Sequence, residues 1–404
     1  MHEKSDAVVF IGCGYPMGGV LFMAHMGCAI YKASQGRAFD YYFASISEEA
    51  QKGYWNLVHS QMDDSVIIKA GTFCELTEQI AELAKRYHRV IVHTGGGYGQ
   101  TKHFVRMRHR IGKTLARRLV FLGTTHSYRH DSFLRIPMSA FQYVLYRMYY
   151  RKIVFQCQYA ADRFVGGRDL IKRGMGVVVP LGCEEFGKIG ELAPEGISAN
   201  NELSSVLHDK KLFKFVYLAA FRPGKMHAWL VRAIAPVLRR HPESRIIFCG
   251  TGAKKVVDGV MATISKNRLE SQIILPGKIP RAEIPWLLAH CDCAVVPSRA
   301  ETFGHNFLES MFAGLPVLGT RVGIGRDIIR DGETGYGFVL SDVSTLQIAA
   351  EKLLSDPETT HKMGCRAKER VGEEFTHAAV ARRLVKVYED ILSDGGIGKE
   401  RDTP

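Results

Sequence analysis

The sequence predicts an α/β protein made of two doubly wound domains in tandem. Short apolar runs alternate with segments of helical period along almost the whole chain, which is typical of parallel sheets built from βαβ units. The 404 residues suit two domains of about 150 to 200 residues each. Glycine, at 40 residues, is frequent enough to favour many tight turns, and 46% hydrophobic with 24% charged residues excludes a collagen-like or largely disordered chain.

The first half of the chain contains a series of apolar runs that predict the strands of one sheet. Amphipathic stretches, such as 76–86 and 111–118, predict helices between them. The predicted strands are Val8 to Ile11, Tyr42 to Ile46, Ser65 to Lys69, Val90 to His93, Val120 to Gly123, Ile153 to Gln156 and Val177 to Val179.

A more polar stretch, 183–212, predicts a linker between a first domain, 1–182, and a second domain, 213–375. After Ser341 the pattern becomes helical, and the polar tail 393–404 is expected to be flexible. The second series of predicted strands is Phe215 to Ala219, Arg245 to Cys249, Gln272 to Leu275, Ala294 to Pro297 and Val317 to Gly319.

Nine cysteines are scattered through the sequence without a Cys-x-x-Cys pair or a spacing suited to zinc, so we expect a reduced, cytoplasmic location and no metal site. Residues 7–31 carry no Lys, Arg, Asp or Glu, and their length would suffice to span a membrane. Because glycines and a proline interrupt the middle of this stretch, we interpret it as a buried strand, a glycine loop and a buried helix.

The glycine loop from Gly12 to Gly19 follows a predicted strand and precedes a predicted helix. Its backbone amides, at Gly18 and Gly19 in particular, are candidates for contact with a phosphate or for the close approach of a ligand. The spacing is one residue too long for the dinucleotide fingerprint, so a glycine turn needed only for packing is the alternative.

A second loop, between the predicted strand at 294–297 and the helix after it, places Glu301 and Glu309 eight positions apart. Gly304 to Asn306 would supply free amides at the helix N-terminus, where a diphosphate is favoured by unpaired N–H groups and by the helix dipole. A solvated helix face is the usual explanation of two such carboxylates, but their setting favours a binding site.

The segment Pro297 to Val317 resembles the signature of the retaining nucleotide-sugar glycosyltransferases of the GT-B fold, family 4, also described as glycosyl transferases group 1. That signature, P-S-x-x-E-x-F-G-x-x-x-x-E-x-M-x-x-G-x-P-V, is matched at nearly every position. Similar motifs lie in Phe221 to His227, Gly250 to Gly252 and Asp331 to Tyr336, so the resemblance covers residues 213–392.

The first half resembles the family more loosely. Thr125-His126 is similar to an acceptor-side element of the family, and Val178 to Gly182 looks like its V-x-P-N-G turn with Leu181 in place of Asn. The acidic and basic residues that follow the Gly-Gly pair in many members are absent after Gly19. The resemblance implies two Rossmann-like domains that face a cleft, with an acceptor domain first, a donor domain second and a last helix, 376–392, that packs back on the first domain.

The resemblance also implies roles for individual residues. Glu301 would bind hydroxyls of the donor sugar, Glu309 the ribose hydroxyls, and His126 the acceptor side near the transferred sugar. The remaining donor-binding candidates supply contacts to the sugar, phosphates and base, and they are Gly18, Gly19, Phe303, Gly304, His305, Asn306, Gly277 and Lys278.

The chemistry of such a transfer favours fixed cations beside the leaving diphosphate, because that group gains negative charge in the transition state. Arg222 and Lys225 suit this role. No Asp-x-Asp occurs in the chain, so we expect no metal and no other cofactor, with the nucleotide sugar as substrate.

The net charge of +13 is concentrated in one segment, since residues 102–152 hold twelve basic side chains and one acidic one. Aromatic residues lie among them, and an anionic membrane surface at the inner face of the membrane is a candidate partner of 101–152. The alternative is a solvated basic helix face over a buried aromatic strip. Nucleic acid is not expected, because no nucleic-acid-binding motif accompanies the charge.

We therefore expect a retaining, metal-independent glycosyltransferase that moves a hexose-type sugar from a nucleoside diphosphate to a glycan or lipid-linked acceptor, in polysaccharide or glycoconjugate biosynthesis. Two alternatives remain: a GT-B sugar-nucleotide epimerase, and a noncatalytic protein that binds a sugar nucleotide. Formation of a glycosylated product separates them.

Overall fold

The computed structural model describes residues 5–11, 20–45, 52–95, 98–125, 136–184, 186, 190 and 192–394. The chain divides into two compact units, the first formed by Met1–Gly182 with His377–Pro404 and the second by Cys183–Thr376.

The first unit contains a parallel sheet of seven strands among its described residues, in the order β3-β2-β1-β4-β5-β6-β7. Its strands are β1 (Asp6–Ile11), β2 (Phe39–Ser45), β3 (Ile67–Lys69), β4 (Arg89–Gly95), β5 (Leu119–Thr124), β6 (Tyr150–Phe155) and β7 (Gly176–Val178). Its helices before residue 183 are α1 (Val20–Ser34), α2 (Lys52–Gln61), α3 (Phe73–Arg86), α4 (Tyr98–Arg110), α5 (Lys113–Ala116), α6 (Ile136–Tyr149), α7 (Gln158–Arg163) and α8 (Gly167–Lys172).

Both faces of this sheet are buried. Val9 packs into a core with Phe104 of α4 and Tyr146 of α6, whereas its neighbour Val8 packs into a second core with residues of α1. Because successive side chains of a strand point to opposite faces, a strand buried on both sides needs an unbroken apolar run. The continuous run in β1, which is fully buried, follows from this requirement.

The second unit contains a parallel sheet of six strands among its described residues, in the order β10-β9-β8-β11-β12-β13. Its strands are β8 (Phe213–Leu218), β9 (Ser244–Cys249), β10 (Ile273–Gly277), β11 (Cys293–Val296), β12 (Val317–Thr320) and β13 (Gly335–Phe338). Its helices are α9 (Glu195–Ser198), α10 (Asn201–His208), α11 (His227–Arg240), α12 (Lys254–Lys266), α13 (Ile284–Ala289), α14 (His305–Phe312), α15 (Gly325–Ile328), α16 (Val343–Ser355) and α17 (Pro357–Glu374).

The last helix, α18 (His377–Ser393), belongs to the first unit, where it packs beside α1. Its Tyr388 hydroxyl lies 2.6 Å from Nδ1 of His93 in β4, and Nε2 of His93 lies 2.7 Å from the Thr124 hydroxyl at the end of β5. Burial raises the pKa of Tyr388 well above its usual value, so the phenol stays protonated. This buried polar chain ties α18 to the sheet.

The structure differs from the sequence-based expectation at three places. Residues 183–212, predicted as a linker, contain α9 and α10, and their Ile197 and Leu203 are buried. The helix predicted over 111–118 is instead shortened to α5, which begins only after Gly112, where the backbone has a φ of 84°. Strand β13 pairs with β12 but was not predicted, because Gly335 and Gly337 interrupt the apolar run that marks a strand in the sequence.

The apolar stretch 7–31 contributes β1 and most of α1 to the first unit, and its glycine loop, 12–19, lies outside the described residues. In the part of the chain that the structure describes, no helix is both long and apolar enough to cross a membrane.

Candidate active site

The candidate site lies at the carboxyl edge of the second sheet, where the strand order reverses between β8 and β11. In open parallel sheets the connections that leave two such strands run to opposite sides, which opens a crevice for ligands at that point. The predicted residues Arg222 and Lys225 follow β8, and Glu301 follows β11. The sheet therefore brings together two motifs that are far apart in the sequence.

Lys225 and Glu301 form an ion pair, with the Lys225 ammonium donating to Oε1 of Glu301. The Glu301 side chain is 11% exposed and that of Lys225 is 25% exposed. Because water is largely excluded from the carboxylate, the contact is stronger than an ion pair on the open surface. The two residues predicted for the sugar and the diphosphate are thus in direct contact.

Hydrogen bonds hold the two loops in this arrangement. The Arg299 amide donates to the Gly224 carbonyl over 2.9 Å, which joins the loop after β11 to the turn after β8. The Tyr217 hydroxyl, at the end of β8, donates to the Lys225 carbonyl over 3.0 Å and lies 3.2 Å from the Ser298 hydroxyl. Burial raises the pKa of Tyr217, so it remains a donor at physiological pH.

The Glu301 loop also depends on Gly323, which sequence reasoning missed. Gly323 has a φ of 56°, and a Cβ built there would lie 2.2 Å from the Phe303 carbonyl oxygen and 2.9 Å from Cβ of Glu301. The next residue, Ile324, donates its amide to the same carbonyl over 2.7 Å. The close approach of these two loops requires glycine.

Helix α14 begins directly after this loop, with Gly304 at its N-cap and a φ of 93°. Such a conformation favours glycine, which explains that position of the motif. Phe303 is buried, and the side-chain amide of Asn306 donates to the Leu218 carbonyl at the end of β8 over 3.3 Å. The Phe303 and Asn306 side chains therefore have structural contacts. His305 is the first residue of α14, and its ring lies beside that of Phe303.

The second carboxylate, Glu309, lies one turn into α14 and is 13% exposed. Burial raises its pKa, and this effect is opposed by Arg281, whose Nη1 lies 3.3 Å from Oε1 of Glu309. Cys183 lies close to Glu309. Burial, together with the Glu309 charge, raises the pKa of the Cys183 thiol to about 12. Arg281 was not among the predicted site residues, because no local motif marks it.

The remaining candidates of this unit lie on the same edge of the sheet. Arg222 is exposed at the start of the turn Pro223–Lys225, and Lys278 is exposed after β10, where Gly277 has a φ of 83°. The Gly250-Thr-Gly252 segment has a packing role. A Cβ on Gly250 would lie 2.1 Å from the Ala219 carbonyl oxygen.

His227, the first residue of α11, is buried next to the Lys225 turn. Its ring stacks on Phe221 at a centroid distance of 4.3 Å and lies near the rings of Tyr217 and Phe248. Burial, reinforced by the nearby Lys225 charge, lowers the pKa of His227 to about 4. The imidazole is therefore neutral at pH 7, and the positive charge of this turn comes from Arg222 and Lys225.

Three predicted residues lie outside the described part of the chain: Gly18, Gly19 and His126. The preceding Thr125 is buried, and its amide donates to the Val154 carbonyl over 3.0 Å.

The basic segment of the first unit spans α4 to β6. Its aromatic residues are mostly core residues, since Phe104, Tyr146 and Tyr150 are buried against the sheet. This corrects the expectation that they face a partner surface. On α6, however, Phe141, Val144 and Met148 are 51%, 47% and 49% exposed.

Residues 199–370 match the family model described as Glycosyl transferases group 1. The N-acetyl-alpha-D-glucosaminyl L-malate synthase of Bacillus anthracis is 29% identical over 184 residues, which cover 46% of this chain and 47% of the relative. The D-inositol 3-phosphate glycosyltransferase of Corynebacterium diphtheriae is 32% identical over 209 residues, covering 50% of this chain and 48% of the relative. The chain thus spans about half the length of the curated relatives it matches.

Among solved structures, the Anabaena protein HepE in complex with UDP and glucose is similar in fold, with a TM-score of 0.66 and 16% identity over 95% of this chain and 99% of that one. The predicted fold class, two Rossmann-like parallel-sheet domains as in GT-B glycosyltransferases, is confirmed. Residues 199–370 carry a Glycosyl transferases group 1 domain.

We predict that Gly323→Ala lowers nucleotide affinity and activity by displacing the Glu301 loop. The new methyl group would clash with the Phe303 carbonyl, and the alanine backbone would have to keep a strained positive φ. If the loop holds its place, this costs about 1 to 3 kcal/mol of folding free energy. Isothermal titration with UDP, GDP and ADP, together with the urea midpoint, measures both effects. Gly259→Ala, on the open side of α12, is the matched control, since a Cβ there meets no atom within 4 Å. Equal behaviour of the two variants would contradict the prediction.

Proposed function

We propose that this protein is a retaining glycosyltransferase that transfers a hexose-type sugar from a nucleoside-diphosphate sugar to a glycan or lipid-linked acceptor. The observation that carries the proposal is the Lys225–Glu301 contact at the point where the strand order reverses. In a sugar nucleotide the anomeric carbon is bonded to a β-phosphate oxygen, so the groups that bind sugar and phosphate must be neighbours. A cation and a carboxylate in contact meet that requirement.

The proposed chemistry uses charge complementarity to the transition state. As the bond from the anomeric carbon to the diphosphate breaks, the leaving group gains negative charge, and Lys225 and Arg222 would stabilise it. Glu301 would accept hydrogen bonds from donor-sugar hydroxyls, because a carboxylate accepts without leaving a donor unpaired. Cations already held in place by the turn need no rearrangement during the reaction.

The rest of the donor would extend along the same edge of the sheet. The amides of Phe303 to His305, at the N-terminus of α14, would bind the diphosphate and sugar, and Glu309 the ribose hydroxyls. The backbone at Gly277 and Lys278 would contact the base. The family match and the UDP named for the Anabaena structure support a nucleotide donor.

We place acceptor binding in the first unit, where His126 remains the candidate, and Gly18 and Gly19 remain candidates for contact with the donor. We also propose that this unit meets an anionic membrane at its inner, cytoplasmic face. The outer side of α4 carries the exposed residues Lys102, Arg106 and Arg110. The neighbouring α6 exposes Phe141, Val144 and Met148, which lie on one helix face because they are three and four residues apart. Basic and apolar side chains together favour an anionic interface.

The decisive experiment is incubation with UDP-, GDP- and ADP-sugars and lipid-linked or glycan acceptors, with product analysis by mass spectrometry. We expect a glycosylated product whose anomeric configuration, read by NMR, equals that of the donor. Inversion at the anomeric carbon would contradict the retaining mechanism. Tight nucleotide binding without any product would favour a noncatalytic binding protein, and an altered free sugar nucleotide would favour an epimerase.

We predict that Arg222→Ala and Lys225→Ala each lower kcat roughly 100-fold, because each removes a fixed cation beside the leaving diphosphate. Lys225→Ala is also expected to destabilise the fold slightly, since Glu301 loses its partner, whereas the exposed Arg222 should change stability little. Steady-state kinetics and thermal unfolding separate these effects. The control is Lys266→Ala, at the exposed far end of α12. Turnover near that of the wild type in both variants would refute the assignment.

We predict that EDTA leaves turnover essentially unchanged, because Arg222 and Lys225 supply the charge that a metal would otherwise provide. The absence of Asp-x-Asp from the sequence motivates this prediction. Initial rates are compared with and without the chelator. A complete loss of activity that Mg²⁺ or Mn²⁺ restores would show that a metal is required.

We predict that the protein sediments with anionic liposomes at low salt and little with neutral ones. Each basic residue near such a surface contributes about 1 kcal/mol, and salt weakens the attraction. Two variants separate the contributions: Lys102→Glu with Arg106→Glu removes the charge, and Phe141→Ser with Met148→Ser removes the apolar face. Lys255→Glu with Lys266→Glu, on α12 of the second unit, controls for net charge. Equal recovery in the supernatant with both liposome types would contradict the prediction and favour the alternative, in which the basic face of the segment is only solvated.

A further inference from the structure

The partner of Glu309 is a residue that no motif marks. Arg281 begins the turn Arg281–Glu283 that follows β10, and its Nη1 lies 3.3 Å from Oε1 of Glu309. The Arg281 side chain is 70% exposed, whereas the carboxylate that it contacts is 13% exposed. An exposed cation thus reaches inward to a largely buried acid, which is unlike an ion pair on the open surface.

The backbone of Arg281 is held from both sides. Pro280 precedes it, and the Glu283 amide donates to the Pro280 carbonyl over 2.9 Å. The Glu283 carboxylate accepts the Gly196 amide over 3.2 Å, and Ile279 is buried. The guanidinium therefore extends toward Glu309 from a fixed backbone, so that the contact costs less backbone entropy than for a residue on a loose loop.

The same arrangement occurs twice across the switch in strand order. Glu301 and Glu309 both follow β11, and each meets a cation from the other half of the sheet. Lys225 reaches Glu301 from the loop after β8, and Arg281 reaches Glu309 from the turn after β10. Each carboxylate that the proposed donor site uses is therefore oriented by a cation from the opposite side of the crevice.

We propose that Arg281 is a positioning residue of the donor site, which holds the Glu309 carboxylate ionised and oriented to accept the hydroxyls of a nucleoside ribose. This inference rests on the proposed function, because it concerns the nucleotide part of the same donor. A carboxylate has about four acceptor sites on its two oxygens. One contact with Arg281 at Oε1 leaves acceptor capacity for a vicinal diol.

The charges around Glu309 support this role. Burial favours the protonated acid, which accepts fewer hydrogen bonds, and Arg281 opposes that effect. A second titratable group close to Glu309 is Cys183, on the segment before α9. Its thiol stays neutral at physiological pH, because its pKa is about 12. Removal of the Arg281 charge should therefore shift the ionisation of Glu309 to higher pH.

The test uses the full chain with Arg281→Met, Arg281→Lys and the control Lys266→Met. Carbon-13 NMR follows the ionisation of Glu309, assigned through Glu309→Gln. Titration calorimetry gives the Kd of UDP, GDP and ADP between about pH 5 and pH 8. We expect Arg281→Met to raise the pKa of Glu309 by about one unit and to weaken nucleotide binding up to about tenfold, most strongly at low pH. Arg281→Lys should restore most of both, and Lys266→Met should resemble the wild type.

An unchanged Glu309 pKa and Kd in Arg281→Met, with a wild-type protein that binds nucleotide, would overturn the positioning role alone. An equal loss of affinity at every pH, with Glu309 unshifted, would also overturn it and indicate a direct Arg281 contact with the nucleotide. If the wild-type protein binds none of the three nucleotides, the proposed function fails together with the inference, whatever the NMR shows.

Discussion

The candidate site depends on one geometric constraint, the adjacency of β8 and β11 in a parallel sheet. The carboxyl ends of parallel strands lie on one edge, so the loops that follow β8 and β11 begin side by side although Lys225 and Glu301 are 76 positions apart. The Arg299 amide and the Tyr217 hydroxyl then join these loops. The positions of Arg222, Lys225 and Glu301 follow from this pairing.

The pairing also accounts for the charged groups. A carboxylate that is largely withdrawn from water loses hydration energy and must recover it from a cation or hydrogen-bond donors. Glu301 and Glu309 are both largely buried, and the opposite loops supply Lys225 and Arg281. A ligand hydroxyl that enters such a site meets carboxylates that cations already hold in place, which is the physical meaning of preorganisation. The neutral His227 adds packing beside them without adding charge.

The basic segment shows how charge and burial carry different information. Its excess of Lys and Arg can be counted in the sequence, and because charged side chains are rarely buried, the count already predicts a basic surface. The burial of its aromatic residues cannot be predicted in the same way, since Phe104 and Tyr146 are buried while Phe141 is exposed. Only the packing of α4 and α6 against the sheet separates an apolar face that solvent reaches from one that forms the core.

The sequence by itself determined the α/β class, twelve of the thirteen described strands and the signature around Glu301 and Glu309. These features depend on local patterns: apolar runs for strands buried on both faces, and glycine at a positive φ as in Gly304. The tertiary structure alone decided that β13 pairs with β12 despite its glycines, that Gly323 makes room for the Glu301 loop, and that Arg281 contacts Glu309. The reason is physical. Such contacts join residues that only the order of the strands brings together, and no short-range pattern in the chain encodes that order.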